Sequence, residues 1–406
     1  MTKDTFRYLG LALLIIGNLI VTVQSGDSLR YVDESDYEQL ARSIVHRHTF
    51  AWPNGQLTMS RPPGYPAVIA AVYSVIESPL AAKIANTLFL TLAALALGQL
   101  ARRIEPRADA LVPYLILIYP LLIYAASLLY PQIWGCLLLT LVIGLIGGER
   151  FTAGKALIAG LLYGVLILSI PYFLALLPLI ALFVCLRDGR PRWPSIRLAA
   201  LTFTVSVVVV ATWTARNYAD FQVVVPVSAN NGINLLIGNS AIAKPNSGVT
   251  TNLIEQCPTV RADMSEYQVD AETRRCAFQW VSQHPSQALR LYLLKVLNYF
   301  NFRNELATAS EQAQWRDWVI FLTYYPLLLL ALARAAMFRR FPFTRTETFI
   351  YVLYFLNAAA SAIFFTRMRF RIPFDYLLIG VNAAFLIRLW HLRAANRKLS
   401  VAPQNG

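Results

Sequence analysis

Apolar residues run along this chain in long stretches, to be judged against a hydrocarbon core that ~20 helical residues cross. Ten spans are predicted, over 6–24, 80–101, 108–127, 130–147, 155–171, 173–186, 196–214, 317–337, 347–366 and 373–391. The stretch at 173–186 is short and is expected to extend into its neighbours. Two long segments interrupt the series, residues 25–79 and 215–316. In the first, Asp33–His46 predicts a helix along the membrane surface. Gly64–Ile76 is apolar but only 13 residues long, which suits a helix lying at the interface rather than a span. In the second, Ala288–Phe302 is apolar but interrupted by Arg290, Lys295 and Asn298, and is also placed on the surface. The expected organisation is a single all-α polytopic membrane domain over 1–391. Its first outer loop covers 25–79, its second outer segment 215–316, and a tail follows at 392–406.

Composition strengthens this reading. Of 406 residues, 57% are hydrophobic and 14% charged, whereas soluble domains average about 45–50% and about 25%. A soluble enzyme, a disordered regulator and a fibrous protein are excluded as classes. The net charge of +14 does not point to nucleic acid, because the basic residues cluster in short loops between apolar stretches. If the N-terminus is cytoplasmic, 19 of the 36 Lys and Arg fall in cytoplasmic segments, Arg102, Arg103 and Arg107 among them. The rule that positive charge stays inside then predicts both termini in the cytoplasm. Phe6–Val23 is expected to be an anchor helix, since no small-residue cleavage site follows it.

Of four cysteines, Cys136 and Cys185 fall in apolar spans and serve packing. Cys257 and Cys276 share the second outer segment, where disulfides persist, and a bridge between them is predicted.

The predicted spans are nearly free of charge, so any chemistry belongs at the outer face. There the first loop carries Asp33-Glu34-Ser35-Asp36-Tyr37-Glu38-Gln39-Leu40-Ala41, and later Arg61-Pro62-Pro63-Gly64-Tyr65-Pro66. Two prolines and a glycine fix a rigid turn, and an arginine held before it is well placed for a phosphate. The acids alone could be no more than a helix first turn favoured by the helix dipole. His46 and His48 do not make a metal site by themselves, and no Gly-rich phosphate loop or Asp-x-Asp occurs. Trp52, Tyr65, Tyr130, Trp134 and Tyr292 lie near predicted interfaces, where an aromatic belt is ordinary.

The Asp-x-x-x-Tyr-x-x-Leu-Ala helix followed by Arg-Pro-Pro-Gly-Tyr-Pro resembles the first outer loop of the GT-C glycosyltransferases. The nearest resemblance is to the dolichyl-phosphate-mannose–protein mannosyltransferase-like superfamily, which includes bacterial aminoarabinose transferases. Further matches follow in order: Trp213-Thr214-Ala215-Arg216-Asn217-Tyr218 leaving the seventh span, then Pro226, Asn231-Gly232-Ile233-Asn234-Leu235 and Gly238-Asn239, and Arg369-Phe370-Arg371-Ile372-Pro373 before the last span. The resemblance covers about residues 6–391.

It implies a GT-C fold of about ten transmembrane helices with outer juxtamembrane helices. It further implies an inverting transferase that moves a sugar, mannose-like or another hexose or pentose, from a polyprenyl-phosphate carrier to a lipid, glycan or protein acceptor. The setting implied is the periplasmic face of a bacterial inner membrane. By motif position Asp33 is the catalytic base. Arg61, Arg369 and Arg371 are candidates for the donor phosphate, with Glu34, Asp36, Tyr37, Tyr65 and Gln132 in support. A phosphate leaving group needs no strong general acid, its second pKa being about 6. The implied reaction requires no cofactor, and no metal ligand set is assigned. The chain departs from the family pattern at Gln132, where many relatives carry an acid, and at Ile170-Pro171, where many carry Arg-Pro. Gln132 can hydrogen-bond a sugar or order Asp33 but cannot act as a second base. Alternatives are a lipid-glycan transporter or flippase, and a non-catalytic factor in glycan assembly.

Overall fold

The computed structural model describes residues 2–246, 252–303 and 314–401. Its helices are α1 (Lys3–Ser25), α2 (Val32–Arg47), α3 (Gly64–Tyr73), α4 (Pro79–Ile104), α5 (Val112–Ile118), α6 (Pro120–Ala126), α7 (Gln132–Ile146), α8 (Ala153–Ser169) and α9 (Phe173–Cys185). They continue as α10 (Trp193–Phe221), α11 (Asn231–Gly238), α12 (Leu253–Gln256), α13 (Glu266–Gln283), α14 (Pro285–Tyr299), α15 (Gln314–Ala336), α16 (Arg345–Ser361) and α17 (Met368–Val401). Among the described residues the extended pairing is limited to one antiparallel bridge, Ala51 with Leu57.

Among the described residues five helices are long and apolar enough to cross a membrane: Asp4–Ser25, Pro79–Ile104, Trp193–Phe221, Trp315–Ala336 and Met368–Ala394. The stretch expected as one span over 108–127 is broken. Its two halves, Ala108–Ile118 and Pro120–Ala126, meet at 74°. Pro120 supplies no N–H to the preceding turn and pushes Tyr119 out of helical geometry, to φ −102° and ψ 83°. Counting that pair as one crossing gives six, and the expected number of ten is not reached on length. The other predicted spans fold as the shorter apolar helices α7, α8 and α9 and the 17-residue α16. The three stretches expected as surface helices are helical, as α2, the 10-residue α3, and α14.

Small residues let α8 and α10 pack closely. On α8 a Cβ at Gly160 would lie 2.8 Å from the Thr202 carbonyl oxygen, and one at Gly164 would lie 2.6 Å from Val209 Cβ. Two glycines four apart let the backbones of α8 and α10 approach as membrane helices do when no hydrophobic force separates them from lipid.

The chain has two distinct ends. At one, Asp27, just after α1, accepts from Ser78 Oγ at 2.7 Å and from the Leu80 N–H at 2.8 Å, joining the top of α1 to the start of α4. Buried Lys83 closes the same corner by donating to Ser25 Oγ and to the carbonyls of Gly26 and Ser28, at 3.0, 2.9 and 2.6 Å. At the other end, Arg7 of α1 meets Asp109 at 3.3 Å, and Arg388 of α17 donates to the Ile104 carbonyl at 2.8 Å. With a rise of ~1.5 Å per residue, Arg7 lies ~27 Å down α1 from Ser25, close to a hydrocarbon thickness. The N-terminal end of α1 and the C-terminal half of α17 therefore share one face. The first outer loop occupies the other.

Charge does enter the spans, contrary to the sequence expectation. Arg371 and Asp375, fully buried in α17, pair at 2.9 Å, and Asp375 also accepts from the hydroxyls of Tyr119 (2.7 Å) and Tyr354 (3.1 Å). Arg334 and Glu347, equally buried, pair at 2.8 Å. A charge inside a span persists when it is paired and hydrogen-bonded; Asp375 meets that condition with three donors, while Arg371 Nη2 is left without a hydrogen-bond partner.

Candidate active site

Asp33 lies in the first turn of α2. That turn is fixed by its neighbour: the fully buried Glu34 carboxylate accepts from the N–H groups of Arg30 (3.0 Å) and Tyr31 (3.2 Å) with one oxygen, and from Leu129 (2.8 Å) with the other. Glu34 thus satisfies orphan donors of the helix start and ties it to the turn before α7. That turn carries Tyr130, whose hydroxyl donates to Asp33 Oδ2 at 3.1 Å. Asp36 and Tyr37 follow Asp33 at helical neighbour spacing on the same face. Tyr37 is buried edge-on between the rings of Tyr65 and Tyr130, at 5.8 and 6.2 Å.

Two arginines converge on Asp33 from distant segments. Arg61, held before Pro62 and Pro63, places Nη2 at 2.9 Å from Asp33 Oδ1 and donates through Nε to Asp36 at 2.9 Å. Arg369, in the first turn of α17, donates to Asp33 Oδ2 at 2.7 Å and to the Tyr130 hydroxyl at 3.1 Å, its guanidinium 5.4 Å from the Tyr130 ring centre. A cation at a helix start works against the helix dipole, and α17 has no acid in its own first turn. Asp33 supplies the compensating charge. The side chains of Asp33, Arg61 and Arg369 remain 20%, 24% and 31% exposed, so all three can be reached from outside.

Burial works against ionising Asp33, but Arg369 and then Arg61, with hydrogen bonds from Arg369 and Tyr130, outweigh it and hold the carboxyl well below the ordinary carboxylate range. Burial opposes the charge on Arg61 as well, yet the facing acids, Asp33 first, raise its pKa. The buried Tyr37 phenol is pushed up to about 12 by desolvation and then by Asp33, so it stays neutral.

The other candidates are placed differently. Tyr65 lies beneath the site, exchanging hydrogen bonds with Asn86 at 2.9 and 3.1 Å. Gln132 is buried at the first position of α7, and among the described residues no hydrogen bond joins it to Asp33. Arg371 is not brought to Asp33. It is spent on Asp375, the Tyr299 carbonyl (2.9 Å) and the Asn301 carbonyl, under the Tyr324 ring at 3.5 Å. His46 pairs with Glu77 at 2.9 Å on the surface. Cys257 and Cys276 are bonded, S–S 2.07 Å, tying the turn after α12 to α13.

The second outer segment braces the first loop. Glu266 at the start of α13 accepts from Thr58 Oγ1 (2.7 Å) and the Met59 N–H (2.8 Å), and Arg216 of α10 donates to the carbonyls of Thr58 (2.8 Å) and Phe50 (3.1 Å). Lys295, predicted only as an interruption in an apolar run, proves to hold the loop before Arg369. Fully buried in α14, it donates to the carbonyls of Gly238 (3.1 Å) and Phe364 (2.8 Å) and to Asn239 Oδ1 (3.0 Å), and burial lowers its pKa to about 8. Gly238 has no room for a side chain, since a Cβ there would sit 1.8 Å from the Phe364 carbonyl oxygen. The signal for this clamp in the sequence is a lysine amid apolar residues together with Gly238-Asn239.

Immediately after Arg61 a groove opens between α3, α8 and α10. It has a volume of about 450 Å³ and is lined by Pro63, Gly64, Ala67, Val68, Val165, Leu168 and Trp213, with Thr212 and Ala71 at its edges. A charged, partly open centre therefore stands beside an apolar slot.

No family model matches the chain, and no curated protein matches it. Solved structures do. The archaeal oligosaccharyltransferase AglB from Archaeoglobus fulgidus, in complex with an inhibitory peptide and a dolichol-phosphate, aligns with TM-score 0.55 and 14% identity over 98% of this chain and 52% of its own. The same enzyme tethered to an acceptor peptide gives TM-score 0.54 and 14% identity over 97% and 51%. This chain thus spans about half the length of that relative. ArnT from Cupriavidus metallidurans bound to undecaprenyl phosphate aligns with TM-score 0.45 and 16% identity over 97% of this chain and 81% of its own. The chain has the GT-C fold, shared with a membrane oligosaccharyltransferase across almost its whole length.

Proposed function

We propose that this chain is a polyprenyl-phosphate-dependent glycosyltransferase acting at the membrane face that carries its first outer loop. The observation that carries this reading is the convergence of Arg61 and Arg369 on Asp33, with Arg61 two residues before Pro63 in the wall of an apolar groove. A lipid-linked sugar phosphate has the complementary form: an apolar tail, an anionic phosphate and a sugar beyond it. The archaeal oligosaccharyltransferase neighbour was solved with a dolichol-phosphate, which agrees with that donor class.

In this reading the tail lies in the slot beside Pro63 and Gly64, and the phosphate meets Arg61 and Arg369. The phosphate competes with Asp33 for both guanidinia. Asp33, released from them, regains basicity and takes the proton of an acceptor hydroxyl or amide as that atom bonds to the anomeric carbon. The bond from that carbon to the phosphate oxygen breaks, the electron pair stays on the phosphate, and the arginines offset its charge. One displacement inverts the anomeric centre. Tyr130 orients Asp33, Glu34 fixes the turn that carries both, and Arg371 stabilises α17 rather than the donor.

The test is release of free polyprenyl phosphate, followed by mass spectrometry, when the purified protein meets lipid-linked sugars and a membrane extract containing acceptors. Release by wild type that is lost in Arg61→Ala and Arg369→Ala supports the reading. Release that both variants sustain at the wild-type rate refutes it.

A further inference from the structure

A second cavity, of about 360 Å³ and with charged residues in its wall, lies at the opposite end of the molecule between α1, α4 and the turn before α5. Arg7, Tyr8, Gly98, Arg102, Asp109 and Pro113 contribute to its walls. Asp109, almost fully buried, is 3.3 Å from Arg7 Nη1 and 3.9 Å from Arg102 Nη1, so one acid faces two guanidinia. Arg7 also donates to the Tyr8 hydroxyl at 3.0 Å, while its Nε is buried without a hydrogen-bond partner. Arg102 is 55% exposed, and its contact with Asp109 is the longest of these. Asp4, 72% exposed and not part of the pocket wall, lies 3.7 Å from Arg7 Nη2; the wall itself sets two guanidinia against one carboxylate and keeps an unmet donor.

The pocket continues into an apolar track. Leu95 lines it, and Leu92 and Leu88, three and seven residues back along α4, present 42% and 56% of their surface on the same helix face. On α1, Leu13 and Ile16 are likewise exposed. The ~27 Å between Arg7 and Ser25 puts the arginines at headgroup depth and the leucines in the hydrocarbon. Basic pockets between membrane helices on the face rich in Lys and Arg suit anionic lipid headgroups.

We infer that this cavity is a binding site for the phosphate of an anionic glycerophospholipid, held by Arg7 and Arg102 with its acyl chains along Leu88, Leu92 and Leu95. Its volume matches a headgroup rather than a whole lipid. Asp109 competes with the phosphate for the same guanidinia and thereby limits affinity. Inorganic phosphate offers the same charged group without chains, and the experiment separates the two.

The full-length protein in mild detergent is examined by native mass spectrometry with phosphatidylglycerol, phosphatidylcholine or inorganic phosphate. The expected result is preferential retention of phosphatidylglycerol over phosphatidylcholine. Arg102→Gln, at a half-exposed side chain that leaves the Arg7–Asp109 pair in place, is expected to weaken phosphatidylglycerol at least about tenfold, the size of one charge-assisted hydrogen bond. Asp109→Asn is expected to tighten it, an effect of opposite sign that mere loss of structure does not produce. Equal binding of the two lipids, wild-type affinity in both variants, or displacement by millimolar inorganic phosphate as effective as by lipid overturns the assignment.

Discussion

Asp33 is a carboxylate with three partners, and each partner makes it a weaker base. Arg61 and Arg369 stabilise its ionised form and Tyr130 donates to it, so in the empty site the proton affinity a general base needs is suppressed. Transfer then depends on the donor phosphate drawing the arginines away. Asp33→Asn keeps the shape and removes the base. Turnover is expected to fall by ~10²–10⁴-fold, the usual contribution of a positioned base, with donor binding retained. Arg369→Ala is expected to lower turnover by ~10²–10³-fold through loss of charge stabilisation on the leaving phosphate, and Arg369→Lys to recover part of it. Steady-state kinetics with the lipid donor measures both. The pH dependence has a defined sign. Because the folded pKa of Asp33 is depressed, its ion pairs stabilise the fold above the ordinary carboxylate pKa of ~3.9 and are lost as pH falls through the folded value. Thermal unfolding of wild type and Asp33→Asn should therefore differ at pH 7, and the difference should shrink only in strong acid.

Elements decide which of these residues meet. Arg369 and Arg371 are two apart, and on a helix that turns them ~200° from each other. Once α17 begins at Met368, one arginine must face Asp33 and the other the core, where Asp375, one turn on, is its partner. In the sequence both arginines read as phosphate candidates because the last span was expected to start at 373, leaving them in a loop without a facing direction. Asp33 and Arg61 were legible because each belongs to a local motif that fixes it, a helix first turn and a double-proline turn. The surroundings of Gln132 and Tyr65 were not legible from sequence, since they come from the packing of α2 on α3 and of α4 on α7, with Tyr65 between Tyr37 and Asn86. Lys295 stood out in the sequence only as a lysine in an apolar run, because its acceptors are backbone carbonyls 57 and 69 residues away. Lys295→Met is expected to lower transfer while leaving the Asp33 motif intact, by freeing the loop ahead of Arg369. Arg369 mobility can be read from protease cleavage near Thr366. The disulfide between Cys257 and Cys276 closes a loop of 19 residues' separation. Replacing both cysteines with serine is expected to cost about 3 kcal/mol of stability through the chain entropy regained by the unfolded state, measurable as a lower denaturation midpoint under non-reducing conditions.

At the scale of the whole molecule, two faces are built for different partners. One end gathers Asp33, Arg61 and Arg369 under the braced outer segments, and the other gathers Arg7, Arg102 and Arg388. The Lys and Arg distribution predicts that the second face is the cytoplasmic one. In intact cells, a membrane-impermeant thiol reagent should label Asn54→Cys in the first outer loop and spare Arg190→Cys between α9 and α10; the reverse pattern would invert the molecule. The overall helical plan was open to sequence reading because long apolar runs admit few other structures in a bilayer. The broken 108–127 stretch was not, because one proline decides between a span and two bent halves. The central claim is that Asp33 performs the chemistry of sugar transfer, and mass spectrometry of surface glycans and polyprenyl-phosphate sugars in cells carrying wild type, a deletion or Asp33→Asn tests it most directly. Loss of one sugar from one acceptor, with its lipid-linked donor accumulating equally in the deletion and in Asp33→Asn, is the predicted result. Intact glycans in the Asp33→Asn cells beside a defect in the deletion would contradict it.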